Sequence, residues 1–221
     1  MALRLAPPST WRSRSAAVSV AGRLFYIIDE GPVASVKEPS EWKLVARDAF
    51  NGTVLWRRPM GQWHSHMFGL KSGPASLPRR LVSQGDQVYV TLGLNSAVAQ
   101  LDARTGETIQ QYERTEGTTE ILLDGNTLHL VAGPLPEKGA WFAEAQRKLM
   151  ALAADTGKEV WRFAADGRVD SPPAIAGGLC VFGSADGSVY CLRASDGQLV
   201  WRFFAGRHGQ WFLRLLFAVG R

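Results

Sequence analysis

A short pattern that ends in a turn glycine and a tryptophan recurs four times in this 221-residue chain. Its full form is Ala-x-Asp-x-x-Thr-Gly-x-x-x-Trp, and the four copies begin at Ala46, Gln100, Ala151 and Cys191. The copies lie about 40 to 55 residues apart, and a second glycine-containing turn precedes each one. This repeat constrains the fold more than any single residue does, because each unit must bury its apolar face against a neighbouring unit.

The segment from Ser171 to Ala205 shows what one unit contains. Four short apolar runs are separated by the pairs Gly177-Gly178, Asp186-Gly187 and Asp196-Gly197. Such pairs supply the positive φ of tight hairpin turns, so the segment predicts a four-stranded antiparallel meander. A meander repeated at this spacing predicts an all-β fold, namely a β-propeller with four four-stranded blades.

The repeat also predicts the domain organisation. We expect a single propeller domain over residues 15–205, preceded by an N-terminal extension, 1–14, and followed by a non-repeat C-terminal tail, 206–221. The blades are expected at about 15–58, 79–114, 118–165 and 170–205. One helical turn is expected between blade strands, around residues 140–146.

The recurring residues are predicted to be structural. Each tryptophan is expected to lie flat against the neighbouring unit, opposite a small residue that leaves room for the ring. The glycine is expected to adopt a positive φ that other residues avoid. These structural positions are Ala46, Gly52, Trp56, Gly106, Ala151, Gly157, Trp161, Gly197 and Trp201. Trp56, Trp161 and Trp201 are expected to be buried in equivalent positions, whereas the second copy has Gln100 and Gln110 in place of alanine and tryptophan.

The pattern resembles the tryptophan-docking repeat of the pyrroloquinoline quinone (PQQ) propeller superfamily, over about residues 15–205. That superfamily includes quinoprotein alcohol dehydrogenases and the non-catalytic propeller lipoprotein of the bacterial outer-membrane assembly machinery, and this chain is closer in type to the lipoprotein. The dehydrogenases resemble one another in an eight-bladed ring with a vicinal cysteine pair over the quinone and a calcium ion. This chain lacks a Cys-Cys pair, so we expect it to hold neither PQQ nor calcium.

Cys180 and Cys191 fall on neighbouring strands of one predicted hairpin, and we expect them on the same face of the sheet, in diagonal rather than opposite positions. A disulfide stays open as an alternative, but free buried thiols are expected.

Four blades cannot close with the wedge angle of an eight-bladed ring, so an incomplete, open ring is expected. Its ends would expose a blade face or a strand edge. Three interpretations stay open. The chain is a fragment of a larger propeller, or two copies complete one ring, or the tail caps a free-standing arc.

Binding residues are expected in the long connections between strands, which are predicted to emerge on one face of the propeller. The candidates are Trp63, His64, His66, Arg79 and Arg80. His64 and His66 have no third ligand at a recognisable spacing, so no metal site is predicted. No catalytic residues are predicted either, because a Gly-x-Ser-x-Gly elbow is missing and the adjacent Asp29 and Glu30 fit a solvated turn.

The expected function is therefore a non-catalytic scaffold that binds protein partners, or the remaining blades of a larger propeller, through its loop-rich face. The alternative is a fragment of a PQQ-dependent alcohol or sugar dehydrogenase. The net charge of +5 is carried by scattered basic residues, so no nucleic-acid partner is expected.

The resemblance implies a periplasmic or outer-membrane location, although the N-terminal residues lack the apolar core of a signal peptide. The apolar tail segment Trp211–Val219 is expected to cover the open edge of blade four, with membrane contact as the alternative.

Overall fold

The computed structural model describes residues 17–31, 40–63, 79–133, 147–169 and 171–206. Within these ranges the chain forms sixteen β-strands and no helix. The strands form four separate four-stranded sheets, each built from consecutive strands in chain order. The predicted all-β class with four four-stranded blades is thereby confirmed. The N-terminal extension, the helical turn around 140–146 and residues 207–221 of the tail lie outside the described residues.

Each blade is a meander in which neighbouring strands are joined by short turns or by a longer connection. Blade one contains β1 (Val18–Val20), β2 (Arg23–Asp29), β3 (Trp42–Asp48) and β4 (Val54–Pro59). Blade two contains β5 (Leu81–Gln84), β6 (Gln87–Thr91), β7 (Val98–Asp102) and β8 (Thr108–Tyr112). Blade three contains β9 (Glu120–Asp124), β10 (Thr127–Ala132), β11 (Lys148–Ala153) and β12 (Glu159–Phe163). Blade four contains β13 (Ala174–Ala176), β14 (Leu179–Gly183), β15 (Ser188–Arg193) and β16 (Leu199–Phe204).

Blades one, three and four share one register between their third and fourth strands. Ala46 lies opposite Trp56, Ala151 opposite Trp161, and Cys191 opposite Trp201, and a register shift follows each pair directly. A small residue thus faces each tryptophan across the ladder. The repeat pattern therefore places equivalent residues at equivalent backbone positions.

The turn that joins these two strands is the same in all four blades. Gly52, Gly106, Gly157 and Gly197 have φ values of 75°, 76°, 70° and 71°. Each glycine N–H donates a hydrogen bond to the carbonyl four residues earlier, at 2.8 to 3.0 Å. We call this element the glycine turn. Its left-handed backbone explains why the pattern requires glycine at this position.

The chain divides into two compact units, the first of residues 1–94 and 100–109 and the second of residues 95–99 and 110–221. The inner strands β2, β3, β6 and β7 carry fully buried residues of the first unit, among them Phe25, Leu44 and Val88. In the second unit one apolar cluster joins blades three and four through Leu149, Trp161 and Phe182, with other buried residues around them. In each unit the middle strands supply most of the core because strands flank them on both sides, whereas Trp161 lies on the outer strand β12.

Candidate interaction surfaces

Two of the repeat tryptophans dock on the glycine turn of the next repeat. The indole Nε1–H of Trp161 donates to the carbonyl oxygen of Ala194 at 2.8 Å. A Cβ atom at Gly197 would lie 2.7 Å from that ring, which is closer than real contacts allow. Trp56 repeats both contacts, with Nε1 3.1 Å from the carbonyl oxygen of Ala103 and its ring against Gly106. We call this arrangement a docking joint: the ring packs on the turn glycine, and its N–H donates to the carbonyl three residues before that glycine.

The second repeat builds the same joint from two residues. Gln110 occupies the tryptophan position of this repeat, and its Nε2 donates a hydrogen bond to the carbonyl oxygen of Ala154 at 3.0 Å. Tyr112, two residues further along, donates its hydroxyl to the same carbonyl at 2.5 Å. Its ring lies against Gly157, where a Cβ atom would meet it at 3.1 Å. The amide supplies the hydrogen bond and the tyrosine supplies the ring, so the joint survives the loss of the tryptophan.

Trp201 contradicts the expectation that all three tryptophans are buried in equivalent positions. Trp161 is 6% exposed and Trp56 is half-buried, but Trp201 is 44% exposed. Its register is the expected one, opposite Cys191. The physical reason is the partner surface: each docked tryptophan contacts the glycine turn of a following repeat, and the described residues contain no further turn after blade four.

Trp63 and Arg80 do not present their side chains to a partner, which corrects the expectation for these two candidate binding residues. They are 1% and 3% exposed. The indole Nε1–H of Trp63 donates to the carbonyl oxygen of Thr91 at 3.0 Å. The guanidinium carbon of Arg80 lies 4.5 Å from the Trp63 ring centre, and Arg80 also donates to the Trp63 carbonyl. Together these contacts hold both ends of the connection formed by residues 64–78.

The other three candidate binding residues are Arg79, His64 and His66. Arg79 is exposed, immediately beside the buried Arg80. His64 and His66 lie outside the described residues. Their binding role therefore stays a prediction.

The adjacent carboxylates Asp29 and Glu30 are used in local structure. One carboxylate oxygen of Asp29 accepts hydrogen bonds from the backbone N–H groups of Gly31 and Glu41, at 2.9 and 2.8 Å. Glu30 forms an ion pair of 2.8 Å with Lys43. These contacts close the base of the connection between β2 and β3.

The two cysteines are free and fully buried on neighbouring strands of blade four. Cys180 lies opposite Leu192 and Cys191 opposite Val181, so the two side chains point to opposite faces of the sheet, because side chains alternate along a strand. The expected placement of both cysteines on one face is therefore wrong. Burial raises the pKa of Cys180 to about 12. At neutral pH this group stays a thiol, which is a poor nucleophile and a poor metal ligand.

One polar cluster on blade four was not predicted from the sequence. Arg202 pairs with Asp166 at 2.6 Å and with Asp186 at 3.3 Å, and its guanidinium carbon lies 5.0 Å from the Tyr190 ring centre. Burial opposes ionisation of Asp186, but hydrogen bonds from Tyr190 and Ser188 and the charge of Arg202 outweigh it and lower the pKa. The cluster braces β15 against β16. No spacing signal in the sequence points to it, because Asp166 lies before the blade.

Two kinds of site are absent from the described ranges. No group of three or more His, Cys, Asp or Glu side chains in those ranges is arranged to hold a metal ion. Nor does any helix there have the length and apolar character needed to cross a membrane.

Comparison with known proteins points to one family. A family model described as outer membrane protein assembly factor BamB matches residues 3–141 and 130–216. The protein of that name from Burkholderia pseudomallei is 33% identical over 126 residues, which are 55% of this chain and 29% of the relative. The one from Yersinia pestis is 25% identical over 158 residues, which are 69% of this chain and 36% of the relative. The matched region thus spans about a third of the length of these curated relatives.

Two solved structures confirm the β-propeller fold. The crystal structure of BamB from Moraxella catarrhalis is similar with a TM-score of 0.52 and 18% identity, covering 88% of this chain and 50% of that chain. The computationally designed protein Ika4 is similar with a TM-score of 0.54 and 13% identity, covering 86% of this chain and 94% of that chain. At these identities the likeness shows the fold alone.

Proposed function

The chain belongs to the family of the outer membrane protein assembly factor BamB, and on that premise we propose that it is a non-catalytic propeller scaffold in outer-membrane protein assembly. The observation that carries the proposal is the extent of the family match, which includes all four repeats. The use of the repeat residues supports it, because Trp56, Trp161 and Tyr112 contribute their rings to joints between repeats. A scaffold of this kind works by presenting loops and edges to other proteins.

The proposed contact region is the connection of residues 64–78 with its flanking Arg79. The buried pair Trp63 and Arg80 supports this choice, because the contact between these two residues joins the two ends of the connection. Arg79 is exposed next to that anchor. His64 and His66 belong to the same connection and complete the proposed contact set. Arginine beside an anchored loop is well suited to binding acidic or carbonyl-rich protein surfaces.

Three further features belong to the proposal. The relatives are about three times longer than the matched region, so we infer that this chain acts as one segment of a larger propeller. The relatives are named as assembly factors of outer membrane proteins, so we infer a periplasmic or outer-membrane location for this chain. It is proposed to work without PQQ or calcium.

The test is site-specific photocrosslinking in a Gram-negative host. A photoreactive amino acid is placed at Arg79, and the matched control carries it at Lys158, which is also exposed but sits beside a glycine turn. We expect crosslinks at Arg79 to a component of the outer-membrane assembly machinery, and none at Lys158. Equal crosslinking at both positions would contradict the proposed face.

The enzymatic alternative is tested separately. The purified chain is mixed with PQQ and calcium, and reduction of a dye is followed with a panel of alcohols and sugars. We expect no PQQ-dependent reduction. Turnover that requires both PQQ and the chain would replace the scaffold proposal with a quinoprotein dehydrogenase.

A further inference from the structure

Among the described residues, three of the four glycine turns are occupied by a docking side chain, and one is open. A Cβ atom added at Gly106, Gly157 or Gly197 would lie 2.9, 3.1 or 2.7 Å from the ring of Trp56, Tyr112 or Trp161, respectively. A Cβ atom at Gly52 would meet no described atom within 4 Å. The turn of blade one therefore has room for a ring that the other turns already hold.

The hydrogen-bond acceptor of the open turn is also free. Ala103, Ala154 and Ala194 accept the docking hydrogen bonds through their backbone carbonyls. The equivalent residue of blade one is Ala49, whose carbonyl receives no hydrogen bond within the part of the chain that the structure describes. Beside it, Phe50 is 90% exposed, whereas the equivalent positions hold the polar residues Arg104, Asp155 and Ser195. The open turn thus combines a free acceptor with an apolar neighbour.

Blade four has a docking residue whose ring lies on no glycine turn among the described residues. Trp201 holds the register of Trp161, yet it is 44% exposed. The rest of β16 is exposed as well, including Phe203 at 57%. A strand of exposed apolar residues is unusual on a folded surface and marks a contact site.

We propose that blade four docks on a second copy of the same chain, with Trp201 of one copy on the Gly52 turn of the other and its Nε1–H donating to the Ala49 carbonyl. The interface repeats a joint that the chain already forms within itself. This inference rests on the proposed function, because it names a second copy of the chain as the source of the further blades of a larger propeller. The contact is head-to-tail, so copies either close into a ring or extend into a chain.

The residues around the joint support a second copy as the occupant. Phe163 follows Trp161 by two residues and packs against the Phe182 and Tyr190 rings of the next blade, with centroids 6.0 and 5.6 Å apart. Phe203 follows Trp201 by the same interval.

By strand register, the position of Phe182 in blade four corresponds to Tyr26 in blade one, since Phe182 lies opposite Tyr190 and Tyr26 opposite Val45. Tyr26 is half-buried and offers an aromatic ring where Phe203 would need one.

The test is the mass of the full 221-residue chain by sedimentation equilibrium, over about 1–100 μM. Trp201→Ala removes the docking ring at an exposed position. Gly52→Asn fills the open turn with a residue that tolerates positive φ. The matched control is Gly85→Asn, because Gly85 also has positive φ and open space but lies in the turn between β5 and β6. Circular dichroism checks that every variant is folded.

We expect the unmodified chain and Gly85→Asn to associate, and Trp201→Ala and Gly52→Asn each to weaken association by about tenfold or more. A mixture of the two weakened variants should form a 1:1 complex, because together they retain one intact tryptophan and one intact turn. The proposal is overturned if the unmodified chain is monomeric throughout, which would favour closure within one chain or cover by the tail. It is equally overturned if both variants associate as well as the unmodified chain.

Discussion

Trp161 and Trp201 occupy the same place in neighbouring repeats and end in opposite environments. Both lie opposite a small residue, Ala151 or Cys191, with the same register shift beyond the pair. Trp161 is 6% exposed because the glycine turn of blade four covers its ring, whereas Trp201 is 44% exposed. The comparison separates two roles of the repeat. The pattern sets the backbone position of each tryptophan, and the following repeat decides whether the ring is buried.

The largest expected effect concerns the two tryptophans themselves. Trp161→Ala should lower the free energy of unfolding by about 3–5 kcal/mol, because it removes a buried ring and leaves a cavity. Trp201→Ala should lower it by less than about 1 kcal/mol, because the ring is largely in water already. Urea unfolding of both variants, at concentrations too low for self-association, measures the difference. Similar losses in the two variants would show that burial does not distinguish the two positions.

The second-largest effect compares Gly197, which the Trp161 ring covers, with Gly52, which no described ring covers. Gly197→Ala and Gly52→Ala both place a side chain at positive φ, which costs about 1–2 kcal/mol in each case. Gly197→Ala should cost about a further 1–3 kcal/mol, because its Cβ displaces Trp161, whereas the Cβ at Gly52 enters open space. The same urea assay gives the difference between the two variants. If the variants lose equal stability, the ring contact at Gly197 is not tight.

Much of the fold could be predicted from the sequence, because turn glycines and apolar runs act locally. All sixteen strands lie where the hairpin turns of the repeat predict them. The burial of Trp201 was predicted wrongly for a physical reason: burial depends on a surface supplied by another repeat. The pattern alone cannot tell whether that surface is present.

The candidate site was less predictable, because its contacts join residues that are distant in sequence. Trp63 bonds to a carbonyl 28 residues away and therefore packs inside, although it falls in a connection that reads as an exposed loop. The joint of the second repeat was missed because Tyr112 lies beyond the end of the pattern. One signal was available: an aromatic residue two positions after a missing tryptophan lies on the same face of the strand.

The docking joint of the second repeat, which contains no tryptophan, should lose less stability when its hydrogen bonds are removed. Tyr112→Phe keeps the ring on Gly157 and removes one of the two donors to the Ala154 carbonyl. We expect a loss of about 0.5–1.5 kcal/mol.

Gln110→Ala removes the other donor. The double variant should lose more than the sum of the two single losses, because the buried carbonyl is then left without either bond. A double-mutant cycle by urea unfolding measures this coupling. Strict additivity would mean that the two side chains act independently and do not share one acceptor.

The smallest expected effect is a pH dependence of stability that arises at Trp161, because its neighbour His129 can titrate. The His129 ring lies 5.6 Å from the Trp161 ring and is 1% exposed, and its Nδ1 has no hydrogen-bond partner among the described residues. Burial lowers the pKa of His129 below its ordinary value of 6.5. At the position equivalent to His129, blade four has Val181 opposite Cys191, which does not titrate.

The sign of the effect follows from the two states of the chain. Unfolded His129 takes up a proton as the pH falls through about 6.5, whereas the folded protein resists that proton. The stabilisation from neutral His129 is therefore complete above about pH 6.5 and declines below it.

The matched control is His129→Phe, because Phe25 occupies the equivalent position beside Trp56 in blade one. Urea midpoints measured from about pH 7.5 to 5.5 should fall more steeply for the unmodified chain than for His129→Phe. The other histidines, His64, His66 and His208, are present in both proteins, so their contribution cancels in the comparison. Carboxylates with lowered pKa, such as Asp102 and Asp186, stay ionised throughout this range and add no slope. Parallel curves would mean that the imidazole can be protonated beside Trp161 without cost, and hence that the docked ring is less sealed from water than its burial indicates.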